Sequence, residues 1–129
     1  MAAVPVAAQP QAQGVPLLDA EKLEVFRVAV EFQVLASQLA AKAPGSLREQ
    51  FERASVSAVL NAAEGAGRRG RRDKRRFYSM ARGSAMECGA VLALLTARQL
   101  ADAAECARAR YLLVRVVQML SALERRMGP

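Results

Sequence analysis

The chain has 129 residues, of which 53% are apolar, 24% charged and 5% aromatic. This is the size and make-up of one domain with an aliphatic core, and it excludes a multidomain enzyme. There is no His and there are two Cys, so the common residue sets for zinc ligation, imidazole acid–base work and Ser-His-Asp nucleophilic catalysis are missing, and neither an enzyme nor a cofactor is expected. The net charge of +7 is uneven: Arg68 to Arg76 carries seven basic residues against Asp73, a net +6, which leaves +1 for the other 120 residues. A nearly neutral body with one concentrated cationic segment points to a polyanion or an acidic partner surface.

Twenty-seven alanines against 8 Gly and 5 Pro favour helix throughout. Residues 1–18 are uncharged and contain Pro5, Pro10 and Pro16, so they are expected to be a flexible tail ahead of a single domain over residues 19–129. The tail lacks the basic start and unbroken apolar run of a signal peptide, and no later segment reaches the ~18 apolar residues of a membrane span. A cytoplasmic protein with no membrane association is expected. The first helix is predicted to start after Asp19 as N-cap and to run to about Lys42, ahead of Pro44-Gly45. Leu23, Phe26, Val30 and Val34 form one apolar row, and Val25, Val28, Phe32, Leu35 and Leu39 a second.

Ser46 with Glu49 reads as a capping box for a second helix ending near Ala66, and Gly65, Gly67 and Gly70 break the chain inside the start of the arginine run. A third helix is predicted from near Asp73 to near Gln99. It faces Phe77, Met80, Ala81, Ser84, Cys88, Val91, Leu92 and Leu95 inward, with Gly83 and Gly89 allowing close backbone approach. Asp102 and Glu105 cap a fourth helix to about Met127, whose apolar positions cover more than one stripe. Four helices with short connections predict an all-α, antiparallel up-down-up-down bundle. The apolar surplus on the first and fourth helices is expected to be buried between copies of the chain in a homo-oligomer. Cys88 and Cys106 sit at heights differing by about 9 Å in such a hairpin, so they are expected to be two buried thiols without a disulfide.

The stretch from Glu52 to Gly89 carries a specific pattern: Arg53-Ala54, Val56-Ser57, Asn61, Ala63-Glu64-Gly65, Gly67-Arg68-Arg69, Phe77, Ala81-Arg82-Gly83-Ser84 and Glu87. It resembles the signature of the bacterial four helix bundle proteins, also called 23S rRNA-intervening sequence proteins. The resemblance covers roughly residues 20–127 in architecture. It implies a left-handed bundle and a ring-like homopentamer around a central channel; a distantly related group, the accessory factors of diversity-generating retroelements, binds a reverse transcriptase and nucleic acid. The chain departs from the pattern at Val59, where the family usually has Pro, at Gly70 (Ser), at Asp73-Lys74 (an acidic-Phe pair) and at Glu52 (Arg). The first change should leave the second helix straighter, and the third adds positive charge at the entrance to the third helix.

Two constellations stand out. Ser57, Asn61, Glu64, Arg68, Arg82, Ser84 and Glu87 recur at helical spacing on the second and third helices, where they are expected to close a structural hydrogen-bond and ion-pair network. The alternative is an acid–base site, but no nucleophile, metal set or phosphate loop accompanies the two carboxylates. The second constellation is Arg68, Arg69, Arg71, Arg72, Lys74, Arg75 and Arg76, expected as a Gly-punctuated loop that binds RNA or DNA phosphates, with affinity falling by about 0.9 log units per log of salt for each duplex phosphate engaged. Of nearby aromatics only Phe77 and Tyr78 are placed to stack on bases. A dock for an acidic protein partner is the alternative reading of the same segment.

Overall fold

The computed structural model describes residues 14–129; of the tail expected over residues 1–18, residues 1–13 lie outside them. After a 3-10 turn at Ala20–Lys22 come four helices, α1 Glu24–Ala40, α2 Gly45–Gly67, α3 Arg71–Ala97 and α4 Ala103–Met127, with no strand among the described residues. Each helix packs on its neighbours in sequence, and α1 also packs on α4, so the four enclose one core. Its largest fully buried side chains include Phe32, Phe51, Leu39, Leu95, Leu120 and Val116, and Phe32 and Phe51 meet edge to face with centroids 6.2 Å apart. No helix among the described residues is long and apolar enough to cross a membrane.

Polar contacts fix the offsets between helices. Across α1 and α2, Ser37 Oγ donates to Glu52 at 2.5 Å, and Gln33 Nε2 reaches Glu52 at 3.5 Å and Ser55 at 3.4 Å. Ser55 is fully buried and its hydroxyl also donates to the Glu52 carbonyl, so this buried polar group is satisfied. Glu52 and Ser55 thus join these two helices by side chains. Across α1 and α4, Arg115 pairs with Glu24 at 2.8 Å, Arg108 with Glu31 at 3.0 Å and Lys42 with Glu105 at 3.8 Å. Such exposed pairs contribute ~0–1 kcal/mol each, so they set register more than stability.

Helix starts differ from the sequence expectation at three of four places, α3 beginning at Arg71, two residues before the expected Asp73. Asp19 caps only the 3-10 turn, without a side-chain hydrogen bond, and α1 begins after the extended Leu23. The Ser46–Glu49 capping box does not form: Pro44 is the N-cap and Ser46 already lies within the helix, where its hydroxyl is displaced from the capping position. Asp102 caps α4 as expected, accepting from the Glu105 amide at 3.1 Å. Helix α3 ends at Ala97 with Arg98 as C-cap, and just beyond it Gln99, a non-glycine residue at φ 55°, turns the chain so that the Leu100 amide bonds to the Leu95 carbonyl at 2.9 Å. That left-handed conformation closes the helix end as glycine usually does.

Of the two apolar rows expected on α1, Val25, Val28, Phe32 and Leu39 are buried, while Leu23, Phe26, Val30, Val34 and Leu35 are half-buried. Packing on both α2 and α4, α1 buries Val25, Val28, Ala29, Phe32, Ala36, Leu39 and Ala40 and leaves no large apolar side chain exposed. The exposed large apolar residues within helices are Val56 and Leu60 on α2, Met80, Met86 and Leu94 on α3, and Tyr111 and Val114 on α4. Met80 is thus outside, and Tyr78 and Ala85 take inward places instead. Between α3 and α4 runs an apolar groove of about 960 Å³ lined by Met86, Gly89, Ala93, Val114 and Val117 among others.

Cys88 and Cys106 are free and buried. Burial pushes the Cys88 thiol up to about 12, helped by the neighbouring Glu87 charge. Folded protein should therefore react with a thiol reagent at Cys88 far more slowly than protein in denaturant. Its stability should also fall as pH rises above about 8.5, since the unfolded thiol ionises there while the folded one stays protonated up to about 12. Equal labelling rates in the folded and denatured states would contradict this burial.

Candidate nucleic-acid interface

The arginine run is divided: Arg68 and Arg69 lie in the turn between helices, and Arg71 to Arg76 form a helix start and not a loop. Helix α2 continues through Gly65 to Gly67, the chain turns at Arg68–Gly70, and α3 begins at Arg71. None of these glycines has a positive φ. Gly65 matters for space instead: a Cβ built there would lie 2.8 Å from Tyr78 Cε1 and 3.2 Å from Phe77 Cβ. Gly83, expected to mediate close approach, has nothing within 4 Å, and Gly89 meets Leu113 only at ordinary contact distance.

Three of the seven cations hold this corner together. Arg68 bonds Glu64 at 2.7 Å and lies 3.6 Å from Asp73, while Arg76 bonds Asp73 at 2.9 Å. Both guanidinium groups cover the Phe77 ring, at 4.6 and 4.5 Å from its centroid. The Arg68 Nε is buried without a hydrogen-bond partner, so the side chain is held by its two terminal nitrogens and the ring. Lys74 Nζ donates to the Gly65 and Ala66 carbonyls at 3.2 and 2.8 Å. It thereby satisfies the carbonyl end of α2, where a cation is favoured by the helix dipole. Lys74, expected among the ligand-binding cations, is thus a structural cap.

The remaining four, Arg69, Arg71, Arg72 and Arg75, are exposed and have no carboxylate partner among the described residues. They crowd the amino end of α3, where the dipole disfavours positive charge by ~0.3–1 kcal/mol per group. Their placement therefore contributes nothing to folding. Base stacking has no ring available: Phe77 and Tyr78 are both buried, and burial also raises the Tyr78 phenol above its ordinary value.

The expected closed network divides into separate pieces. Ser57 and Ser84 hydroxyls meet at 2.8 Å across α2 and α3, and Asn61 Nδ2 donates to Ser57 Oγ at 3.0 Å. Glu64 belongs to the Arg68 corner. Arg82 turns the other way, binding Glu124 of α4 at 2.5 and 3.4 Å, a hydrogen bond that raises the Arg82 guanidinium further above its ordinary value. Glu87 is exposed and joins none of these. Among the described residues, no group of three or more His, Cys, Asp or Glu could hold a metal ion.

The sequence reading missed a second source of charge. Arg125 and Arg126 occupy the last turn of α4, where basic residues ordinarily complement the helix dipole and draw no notice. Arg125 lines a cavity together with Arg75 and Arg82.

These features define an all-helical, four-helix protein with a cationic corner between α2 and α3. The family described as 23S rRNA-intervening sequence protein matches residues 21–122, and the chain belongs to it. No curated protein matches the chain.

Proposed function

We propose that this protein is a non-enzymatic, cytoplasmic, homo-oligomeric bundle that binds RNA or DNA through phosphate contacts from the start of α3. The observation that carries the reading is the split within the cationic segment. Arg68, Lys74 and Arg76 are engaged in the fold, whereas Arg69, Arg71, Arg72 and Arg75 stand free at a helix end that electrostatics disfavours for them. Guanidinium forks bind phosphate oxygens bidentately, and with both aromatics buried the recognition is of backbone and indifferent to sequence. An antiparallel up-down-up-down course fits the contacts, because partners of ascending residues descend: Glu24 and Glu31 meet Arg115 and Arg108, while Ser57 and Gly65 meet Ser84 and Lys74.

The exposed apolar residues of α2, α3 and α4 supply the contact between copies, in a ring of five as the family resemblance implies. Because the ridge of Val56 and Leu60 and the α3–α4 groove are different surfaces, their pairing is head-to-tail, the arrangement that closes into rings. Fluorescence anisotropy with labelled single-stranded and duplex RNA, between about 50 and 200 mM salt, tests the function. Binding whose log K falls by about 3 or more per log of salt is expected for four engaged phosphates. Absence of binding to either RNA or DNA, with nuclease-insensitive capture of an acidic protein, would transfer the site to the alternative of protein docking. Light scattering before and after nuclease treatment reads the copy number.

A further inference from the structure

Arg72, Arg75, Ser79 and Arg82 follow one another at intervals of three, four and three residues, so they share one face of α3 over about 15 Å. That face is one wall of a cleft of about 1020 Å³ that also includes Glu124 of α4. An adjoining cavity of about 440 Å³ shares Arg75, Arg82 and Glu124 and adds Ser121 and Arg125. The cleft's two acids are already neutralised, Asp73 by Arg68 and Arg76 and Glu124 by Arg82. Arg72 and Arg75 of the cleft and Arg125 of the adjoining cavity have no carboxylate partner among the described residues, so the two connected hollows together hold three uncompensated cations from two helices.

We infer that this cleft grips the sugar-phosphate backbone of a single nucleic-acid strand, with Arg72 and Arg75 on the α3 wall and Arg125 on the α4 wall. The inference rests on the nucleic-acid reading above and adds to it a second helix and a strandedness. A concavity walled by two helices encloses one backbone, whereas a duplex presents a convex surface to the exposed corner. Ser79 and Ser121 add neutral hydroxyl donors along the track. Glu124 holds Arg82 away from the ligand: it is a brake on affinity, and releasing it should tighten binding.

The test is anisotropy of a labelled oligouridylate with full-length variants, each checked for unchanged helicity. Arg125→Ala is expected to weaken binding about fivefold, the upper end for one exposed ion pair, and to lower the salt slope by about 0.7, the value for one single-strand phosphate. Ser121→Asp, which places a carboxylate in the cleft without removing a cation, is expected to weaken it similarly. Glu124→Gln is expected to strengthen it, a direction that damage to the fold cannot produce. If Arg72→Ala and Arg75→Ala weaken binding while the three α4 variants change nothing, the cleft is overturned and the basic corner stands. If wild-type protein binds no oligouridylate at any salt but binds duplex, the cleft is overturned and the nucleic-acid reading stands; if it binds neither RNA nor DNA in either form, or binds polyglutamate in their place, the nucleic-acid reading falls and the cleft with it.

Discussion

Replacing Arg69, Arg71, Arg72 and Arg75 together by Ala is expected to lower affinity for single-stranded RNA at least about a hundredfold near physiological salt, and to cut the salt slope by up to about 2.8, four times the single-strand increment. Stability should hold or rise. The four side chains make no ion pair within the described residues, and removing them relieves mutual repulsion at the positive end of the α3 dipole while inserting the best helix former. The measurement is a pair: binding by anisotropy, and Tm by circular dichroism.

The companion substitution is the contrast. Arg68→Ala with Arg76→Ala removes both cations from the faces of Phe77 and both partners from Asp73. Each cation–π contact at such a partly exposed site contributes about 0.5–1 kcal/mol, so this double variant should melt earlier and keep more of the RNA affinity than the fourfold one. If the two variants lose the same amounts of binding and of Tm, the division of the basic segment into structural and ligand-facing residues is wrong.

That division could not be read from the sequence, where seven cations in nine residues are equivalent. Fold class, helix number and the start of α4 were legible, because the apolar residues recur at helical period and Asp102 marks that start chemically. What escaped was everything that depends on how far one helix slides along another. Arg82 meets Glu124 and not Glu64 or Glu87 because the α3–α4 offset brings the last turns of α4 beside it, and periodicity carries no information about offset. Lys74 becomes a cap for α2 only because α3 starts at Arg71, two residues before the expected Asp73, which brings its amine to the Gly65 and Ala66 carbonyls. Packing of α1 against α2 and α4 buries Val25, Val28, Phe32 and Leu39 and leaves Phe26, Val30 and Val34 half-buried, a split set by where the two neighbouring helices lie and not by helical period.

The same corner makes a second prediction with a large effect. Gly65→Ala would normally gain about 1 kcal/mol as a helical glycine is replaced. Here the added methyl would sit 2.8 and 2.9 Å from the Tyr78 ring and 3.2 Å from Phe77 Cβ. Tyr78 is only 3% exposed and Phe77 is buried beneath two arginine guanidinium groups, so neither has space to withdraw. Overpacking of this kind costs ~1–3 kcal/mol, which exceeds the helical gain and separates α2 from α3 where Lys74 and Arg68 join them. Gly83→Ala, also in a helix but with nothing within 4 Å, supplies the control and should stabilise by about 0.5–1 kcal/mol. Opposite signs in chemical denaturation of the two variants would establish that glycine is required at position 65 for contact between helices; a stabilised Gly65→Ala would show that the Tyr78 ring can move aside.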